Sequence, residues 1–317
     1  MRYCLFKNSF CVRIYYINQE GSKVIKEISQ LTFFPAVSLV LTNACRMRCK
    51  FCCAKTELQT QSMDQNNIPN ILKILHGEGV RRICFSGGEP LLYPQIKDIL
   101  ETSYNYGIEN TIMTSDGELL CALDIPIEHL SKVWLSIHGY QDTHDDITGV
   151  KGSFEKLKVA MKIKSDYPLG VWCVLTKSNS KDIEKLIELC IENNIKNFYI
   201  SNVSTVGWGD EYIQNNGIYS VDEFNFIVNK IKNKYDKKIT IKYQSFEDNA
   251  QCIIVESNGD VIISPHFESE NNQKLIGNIT KENPKDIFAK FKSDEKVWRG
   301  YQERQKRSSL YNNKIER

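Results

Sequence analysis

Residues 37–55, VSLVLTNACRMRCKFCCAK, join a short apolar run to a group of cysteines. The run is rich in Val and Leu and ends in Thr, as buried parallel strands do where they open into a loop. Cys45, Cys49 and Cys52 follow at spacings of four and three residues, with Cys53 directly behind. The stretch therefore predicts a strand whose carboxyl end carries three closely spaced thiols.

The same pattern of a β-rich run followed by a helical segment recurs along the chain. Further short runs rich in Val, Ile and aromatic residues lie at 82–88, 110–115, 132–139, 170–176 and 197–203. Segments with helical periodicity separate these runs, and Gly79 and Gly107 supply stop signals. Six such steps predict an α/β fold, a partial (β/α)6 TIM-like barrel over residues 36–207, whose function lies at the carboxyl ends of its strands.

The segments on either side of this barrel predict smaller units. Residues 9–29 alternate apolar and polar side chains on both sides of NQEG, which predicts a small N-terminal β-hairpin within a unit at residues 1–35. Residues 208–317 predict a C-terminal α+β extension. It contains a helical stretch and a second hairpin around the sequence SNGD.

Composition limits the partners and the compartment that we expect. Lys and Arg number 41 against 39 Asp and Glu, so no global field attracts nucleic acid or an anionic membrane. The N-terminus lacks the apolar run of a signal peptide, and no apolar stretch is long enough to span a bilayer. We therefore expect a cytoplasmic protein. In a reducing cytosol, clustered cysteines among the eleven in the chain indicate metal binding or catalysis rather than disulfides.

Several explanations fit the three thiols. Zinc usually takes four ligands, commonly as two separated pairs, and no second pair or nearby His accompanies these cysteines. Buried free cysteines are another explanation, and a non-catalytic metal or electron-transfer protein is a third. Three thiolates suit an iron–sulfur cluster with one iron left open, and such an iron can bind a small molecule.

Cys45, Cys49 and Cys52, with Phe51 before the third cysteine, resemble the CxxxCxφC signature of radical S-adenosylmethionine (SAM) enzymes. The resemblance implies that the three cysteines hold one [4Fe-4S] cluster whose fourth iron binds SAM. It also implies reductive cleavage of SAM to a 5'-deoxyadenosyl radical, which abstracts a hydrogen from the substrate. Electrons are then expected from a flavodoxin or ferredoxin.

A second motif supports this resemblance one strand later. The sequence FSGGEPLL resembles the family's GGE motif at the end of strand two. In that motif Gly87 and Gly88 would let the backbone approach a ligand. Glu89 would accept a charge-assisted hydrogen bond from the methionine ammonium of SAM.

Further blocks resemble the peptide-modifying and molybdenum-cofactor-cyclase branches of the family. The sequence LSIHGYQDTHDDITGVKGSF implies that Ser136 contacts the methionine carboxylate of SAM. His138 replaces the usual Asp of this block, and Thr148 stands where an Arg normally neutralises that carboxylate. The sequence TSDG resembles an element near the ribose, which implies that Ser115 is a ribose ligand.

The C-terminal part resembles the SPASM or twitch extension of peptide-modifying members, over residues 258–288. That extension normally binds auxiliary iron–sulfur clusters through several cysteines. Here Ser264 stands where a cysteine is expected, and Cys252 is the only cysteine after Cys190. We expect a scaffold that has lost its auxiliary cluster.

The substrate suggested by these resemblances is a ribosomally synthesised peptide, modified for example by epimerisation or crosslinking. The alternative is a sugar, nucleoside or other small metabolite. Cys173 is a candidate donor of a hydrogen that quenches a substrate radical, although a free Cys is usually buried. His138 is a candidate for substrate contact or proton transfer, or a hydrogen-bonded structural residue.

Overall fold

The computed structural model describes residues 36–56, 61–244, 251–265 and 273–293, together with the backbone of 4–8, 11–17 and 23–28. Strands β1 (Cys4–Asn8), β2 (Cys11–Ile17) and β3 (Lys23–Ile28) form an antiparallel sheet in that order. The predicted N-terminal hairpin is β2 and β3, which pair from Val12 with Ile28 to Ile17 with Lys23. Strand β1 adds a third strand that the alternation did not indicate.

A second sheet carries the barrel. Its parallel strands, each paired with the next, are β4 (Ala36–Thr42), β5 (Arg82–Gly87), β6 (Glu109–Thr114), β7 (Lys132–Ser136), β8 (Leu169–Val174), β9 (Asn197–Ser201) and β10 (Thr240–Gln244). The fold class is therefore confirmed as a mostly parallel α/β sheet that does not close. The six predicted strands are present, and β10 adds another in the segment assigned to the extension.

Helices connect these strands and cover one face of the sheet. The α-helices of the described residues are α1 (Ile68–Gly77), α2 (Ile96–Asn105), α3 (Gly117–Ala122), α4 (Asp142–Thr148), α5 (Ser153–Ile163), α6 (Ile183–Glu192), α7 (Gly209–Asn216), α8 (Val221–Tyr235) and α9 (Pro284–Ser293). Short 3-10 turns lie at Pro90–Leu92, Ile127–His129 and Ser180–Asp182. Strand side chains such as Leu39, Phe85 and Ile112 are fully buried and join the helices in one core.

The C-terminal segment extends the same sheet. Strand β11 (Gln251–Val255) pairs parallel with β4, and β12 (Asp260–Pro265) and β13 (Lys274–Asn278) follow antiparallel. Strands β11 and β12 are the hairpin predicted around SNGD. Because β4 lies between β5 and β11, the sheet runs without a break from the barrel into the extension. The division of the chain at residues 35 and 207 stays a prediction, and residues 294–317 lie outside the described part.

Candidate active site

The cysteine loop, residues 43–56, follows β4 and is held by backbone hydrogen bonds on two sides. The Arg48 amide donates to the Thr148 carbonyl oxygen at 2.8 Å, which ties the loop to the end of α4. The Trp208 amide donates to the Cys52 carbonyl oxygen at 2.9 Å, which ties it to the segment after β9. Bonds to two distant segments fix the path of the loop without using the thiols.

Gly87 and Gly88 lie directly against this loop. The Gly88 amide donates to the Thr42 carbonyl oxygen at 2.8 Å, and the Glu89 amide donates to the Ala44 carbonyl oxygen at 2.7 Å. A Cβ on Gly88 would lie 2.2 Å from that Ala44 oxygen, and one on Gly87 would lie 2.5 Å from the Thr42 oxygen. The two glycines are therefore required for the close approach of the β5 turn to the cysteine loop.

The donor set of the loop fits an iron–sulfur cluster. Cys45, Cys49 and Cys52 are half-buried, and a negative charge on Cys52 would oppose ionisation of the other two thiols. Burial raises the pKa of Cys45 to about 11 and raises the pKa of Cys49 as well. Thiolates at these positions need a bound cation, and the irons of a cluster would supply that charge. The three cysteines are therefore suited to a cluster that stabilises their ionised forms.

Glu89 forms a buried carboxylate beside the loop. Its side chain is 1 % exposed. One carboxylate oxygen accepts from the Leu91 amide at 3.2 Å, and the other accepts from the Ser115 amide at 3.0 Å. Burial raises the pKa of Glu89 to about 7, and no Lys or Arg of the described residues forms an ion pair with it. A ligand ammonium would stabilise the ionised form, so this position fits the methionine amine of SAM.

His138 lies at the end of β7 and is hydrogen-bonded on both sides. Its Nδ1 accepts from the Val174 amide at 3.2 Å, and its own amide donates to Nδ1 of His144 at 3.0 Å. The ring packs edge-on against Phe51, with centroids 5.1 Å apart. Burial lowers the pKa of His138 to about 3, so the imidazole is neutral near pH 7. Phe51 and His138 thus connect the cysteine loop to the β7 and β8 strands.

The other residues predicted for the site, Ser136, Ser115 and Cys173, do not all lie beside the cysteine loop. Ser136 is the last residue of β7 and is half-buried, and Ser115 follows β6 with its hydroxyl 3.5 Å from Glu89. Cys173 is fully buried in the core cluster, and burial raises its pKa. Its neighbours Trp172 and Val174 are half-buried on the opposite face of β8. The structure therefore places Ser115 beside Glu89, leaves Ser136 at the end of β7, and puts Cys173 on the helix side of the sheet.

Residues that the sequence did not single out also shape the site. Gly207 has φ +72° and faces the Cys52 carbonyl oxygen, which a Cβ would approach to 2.2 Å. Asp116 caps α3 and accepts from Nε of Arg46 at 2.6 Å. Thr148, at the position of the missing Arg, is fully buried and its hydroxyl donates to the His144 carbonyl oxygen. The two glycines of the sequence VGWGD, residues 206–210, are a turn signal that could have indicated this position.

Comparison with known proteins assigns this arrangement to a family. Residues 39–190 match the model of the Radical SAM superfamily. Residues 39–190 are therefore similar to radical SAM enzymes, and the members of that superfamily use a [4Fe-4S] cluster and SAM. The matched segment begins in β4, includes the cysteine loop and Glu89, and ends in α6.

Curated relatives match the same part of the chain. A probable GTP 3',8-cyclase of Sulfurisphaera tokodaii is 28% identical over 182 residues, covering 54% of this chain and 56% of the relative. A PqqA peptide cyclase of Ruegeria pomeroyi is 29% identical over 175 residues, covering 53% of this chain and 47% of the relative. The chain thus matches about half the length of these relatives.

Solved structures share the fold over most of the chain. Streptococcus suis SuiB bound to its precursor peptide SuiA superposes with a TM-score of 0.66 at 18% identity, covering 85% of this chain and 67% of SuiB. The protein anSMEcpe with bound AdoMet superposes with a TM-score of 0.63 at 17% identity, covering 84% of each chain. Within the described residues, no helix is both long and apolar enough to cross a membrane.

Proposed function

We propose that this enzyme cleaves SAM reductively and abstracts a hydrogen from a ribosomally synthesised peptide. The observation that carries the first part is Glu89, a buried carboxylate that forms no ion pair with a Lys or Arg of the described residues and lies against the cysteine loop. When bound, the cluster supplies one electron to SAM, which yields methionine and the 5'-deoxyadenosyl radical that attacks the substrate.

The protein's own groups have separate tasks in this proposal. Cys45, Cys49 and Cys52 hold the cluster, and the backbone bonds of their loop keep it next to the β5 turn. Ionised Glu89 accepts from the methionine ammonium and fixes its orientation. In this proposal Ser136 donates to the methionine carboxylate and Ser115 contacts the ribose. Neutral His138 contributes a rigid ring beside Phe51 rather than a charge.

The proposal of a peptide substrate is supported by similarity over the extension as well as over the barrel. The similarity to SuiB, solved with a precursor peptide, covers 85% of this chain, so it includes more than the 39–190 segment. A structure of anSMEcpe with a bound peptide covers 84%. In this chain β11 to β13 continue the barrel sheet beside β4. The N-terminal sheet ends in β1 and β3, whose outer edges offer a place for a peptide to add a strand.

A small metabolite is the alternative substrate class. The observation in its favour is the similarity to relatives named probable GTP 3',8-cyclase over 182 residues. Both substrate classes use the same SAM chemistry, so the cysteine loop does not distinguish them.

The test is isotope transfer into 5'-deoxyadenosine after anaerobic cluster reconstitution and dithionite reduction. A deuterated peptide encoded beside the gene is expected to transfer deuterium, and deuterated GTP is not. Transfer from GTP alone would favour the alternative. Absence of any SAM cleavage would contradict the proposal as a whole. Deletion of residues 1–30 should weaken peptide affinity, and unchanged affinity would rule out the N-terminal sheet as the docking element.

A further inference from the structure

The connection between β6 and α3, residues 114–117, touches two other parts of the molecule through its backbone. The Ser115 amide donates to a Glu89 carboxylate oxygen at 3.0 Å. Gly117 lies against α5, where an added Cβ would be 2.3 Å from the Lys156 carbonyl oxygen. A side chain of the cysteine loop supplies a further contact, so the β6–α3 connection joins Glu89, α5 and that loop.

Asp116 is the buried carboxylate of this connection, with 2 % of its surface exposed. One oxygen accepts from the Glu118 and Leu119 amides, both at 3.1 Å, and thereby caps the start of α3. The other oxygen accepts from Nε of Arg46 at 2.6 Å. Burying a charge is costly unless it is paired, so the guanidinium stabilises the ionised carboxylate at this position.

Arg46 belongs to the cysteine loop and lies between its first two cysteines. Its Nη1 is also 3.7 Å from the Glu118 carboxylate, which Lys156 approaches more closely, at 2.8 Å. Glu118 therefore has a second cation, whereas Arg46 is the ion-pair partner of Asp116 among the described residues. Because one member of the pair is buried, the pair couples its two segments more strongly than a fully exposed pair does.

We propose that Arg46 is a positioning residue for SAM and acts by holding the β6–α3 connection at a fixed distance from the cysteine loop. The inference rests on the proposed function, in which SAM contacts the cluster at one end and Ser115 at the other. A site whose two ends are already held in place loses less conformational entropy when the ligand binds. Arg46 thus acts on SAM affinity through Asp116.

Cluster assembly should not depend on this ion pair. The cysteine loop keeps its backbone hydrogen bonds to Thr148 and Trp208 when the Arg46 side chain is changed. Asp116 keeps the cap of α3, since its other oxygen accepts from the helix amides. The proposal therefore predicts a loss of SAM affinity at constant iron content, which a general disruption of the fold would not produce.

The test is equilibrium binding of SAM to the reconstituted, unreduced enzyme, with iron content measured on the same samples. Arg46→Gln removes the charge, and its dissociation constant for SAM should rise about tenfold, the effect of one lost charge-assisted hydrogen bond. Arg46→Lys keeps the charge and should bind SAM within about threefold of the unmodified enzyme. Asp116→Asn keeps the cap, and adding it to Arg46→Gln should weaken binding no further, because both changes remove one interaction.

Lys156→Gln is the matched control, because Lys156 pairs with Glu118 and not with the cysteine loop. It should leave SAM affinity and iron content unchanged. Unchanged SAM affinity in Arg46→Gln would overturn the proposal, as would a loss of iron in that variant or an equal loss of affinity in Arg46→Lys. Penalties that multiply in the double variant would overturn it too. An unmodified enzyme that assembles its cluster but binds no SAM would contradict the proposed function instead.

Discussion

The cysteine loop and the β11–β12 hairpin both adjoin β4 but differ in their chemistry. The loop continues β4 and carries Cys45, Cys49 and Cys52 beside a buried carboxylate. The hairpin pairs with β4 through Ile254 and Val255, and places Cys252 opposite Ser264. The same strand thus supports a region with several clustered cysteines and a region with a single cysteine. The difference fits the proposal that the loop holds the cluster, whereas the hairpin extends the sheet beside β4.

The largest expected effect comes from the loop thiols. Cys49→Ala should abolish both cluster assembly and SAM cleavage, because a cubane cluster needs all three protein thiolates when its fourth iron is open. Iron and sulfide analysis with 5'-deoxyadenosine detection measures both. Cys121→Ala, a half-buried cysteine on α3, is the control and should retain about four irons per chain. Full iron loading of Cys49→Ala would refute the ligand assignment.

Glu89 should have the next largest effect. Glu89→Gln should weaken SAM binding roughly tenfold to a hundredfold, because a buried hydrogen bond to a charged partner is lost. In the unmodified enzyme SAM affinity should rise as the pH increases through about 7, where Glu89 ionises. Equilibrium binding of SAM at several pH values measures both effects. A pH dependence that persists in Glu89→Gln would assign it to another group.

Ionisation of Glu89 should lower the stability of the ligand-free protein, whereas it should raise the affinity for SAM. Burial raises the folded-state pKa of Glu89 to about 7 from an ordinary value of 4.5, so the folded protein favours the neutral acid. Its stabilising contribution is fully present below about pH 4.5 and is lost as the pH rises through about 7. In ligand-free protein, denaturant unfolding should show this loss, and Glu89→Gln should reduce it.

Gly88→Ala tests the contact between the β5 turn and the loop. The added methyl would lie 2.2 Å from the Ala44 carbonyl oxygen, so the loop must move. We expect the free energy of unfolding to fall by about 1–3 kcal/mol and iron loading to fall with it. Gly77→Ala at the end of α1 is the control, because a Cβ there meets nothing within 4 Å. Equal stability of the two variants would show that the loop tolerates displacement.

The smallest effect is expected in the hairpin. Cys252→Ala should leave iron content unchanged, because the described hairpin places Ser264 opposite it. Ser264→Ala should cost about 1 kcal/mol, since the hydroxyl accepts from Nε2 of Gln273 at 3.2 Å. Iron analysis and denaturant unfolding measure these outcomes. A lower iron content in Cys252→Ala would contradict the difference between the cysteine loop and the hairpin, because it would place metal in the extension.

Local patterns were enough to predict most of the barrel. Each predicted run from 37–42 to 197–203 coincides with a strand to within a few residues, because buried parallel strands produce continuous apolar runs. Strands β1, β10 and β13 escaped prediction. The N-terminal alternation was assigned only around NQEG, and the short run at β10 follows an Asn- and Lys-rich helix. Whether each of these segments forms a strand depends on the neighbouring strand with which it pairs.

By itself, the sequence determined the family chemistry, since the cysteine spacing and the GGE motif are local features that survive without coordinates. Tertiary structure decided how these features act. It placed Gly87 and Gly88 against the cysteine loop, buried Glu89 without an ion-pair partner in the described residues, and turned Cys173 toward the helices. The face of a strand on which a side chain lies, the desolvation of a buried carboxylate, and the close approach of two backbone segments all depend on residues that are distant in sequence. A spacing rule therefore predicts the ligands, whereas only the packed sheet decides which neighbours support them.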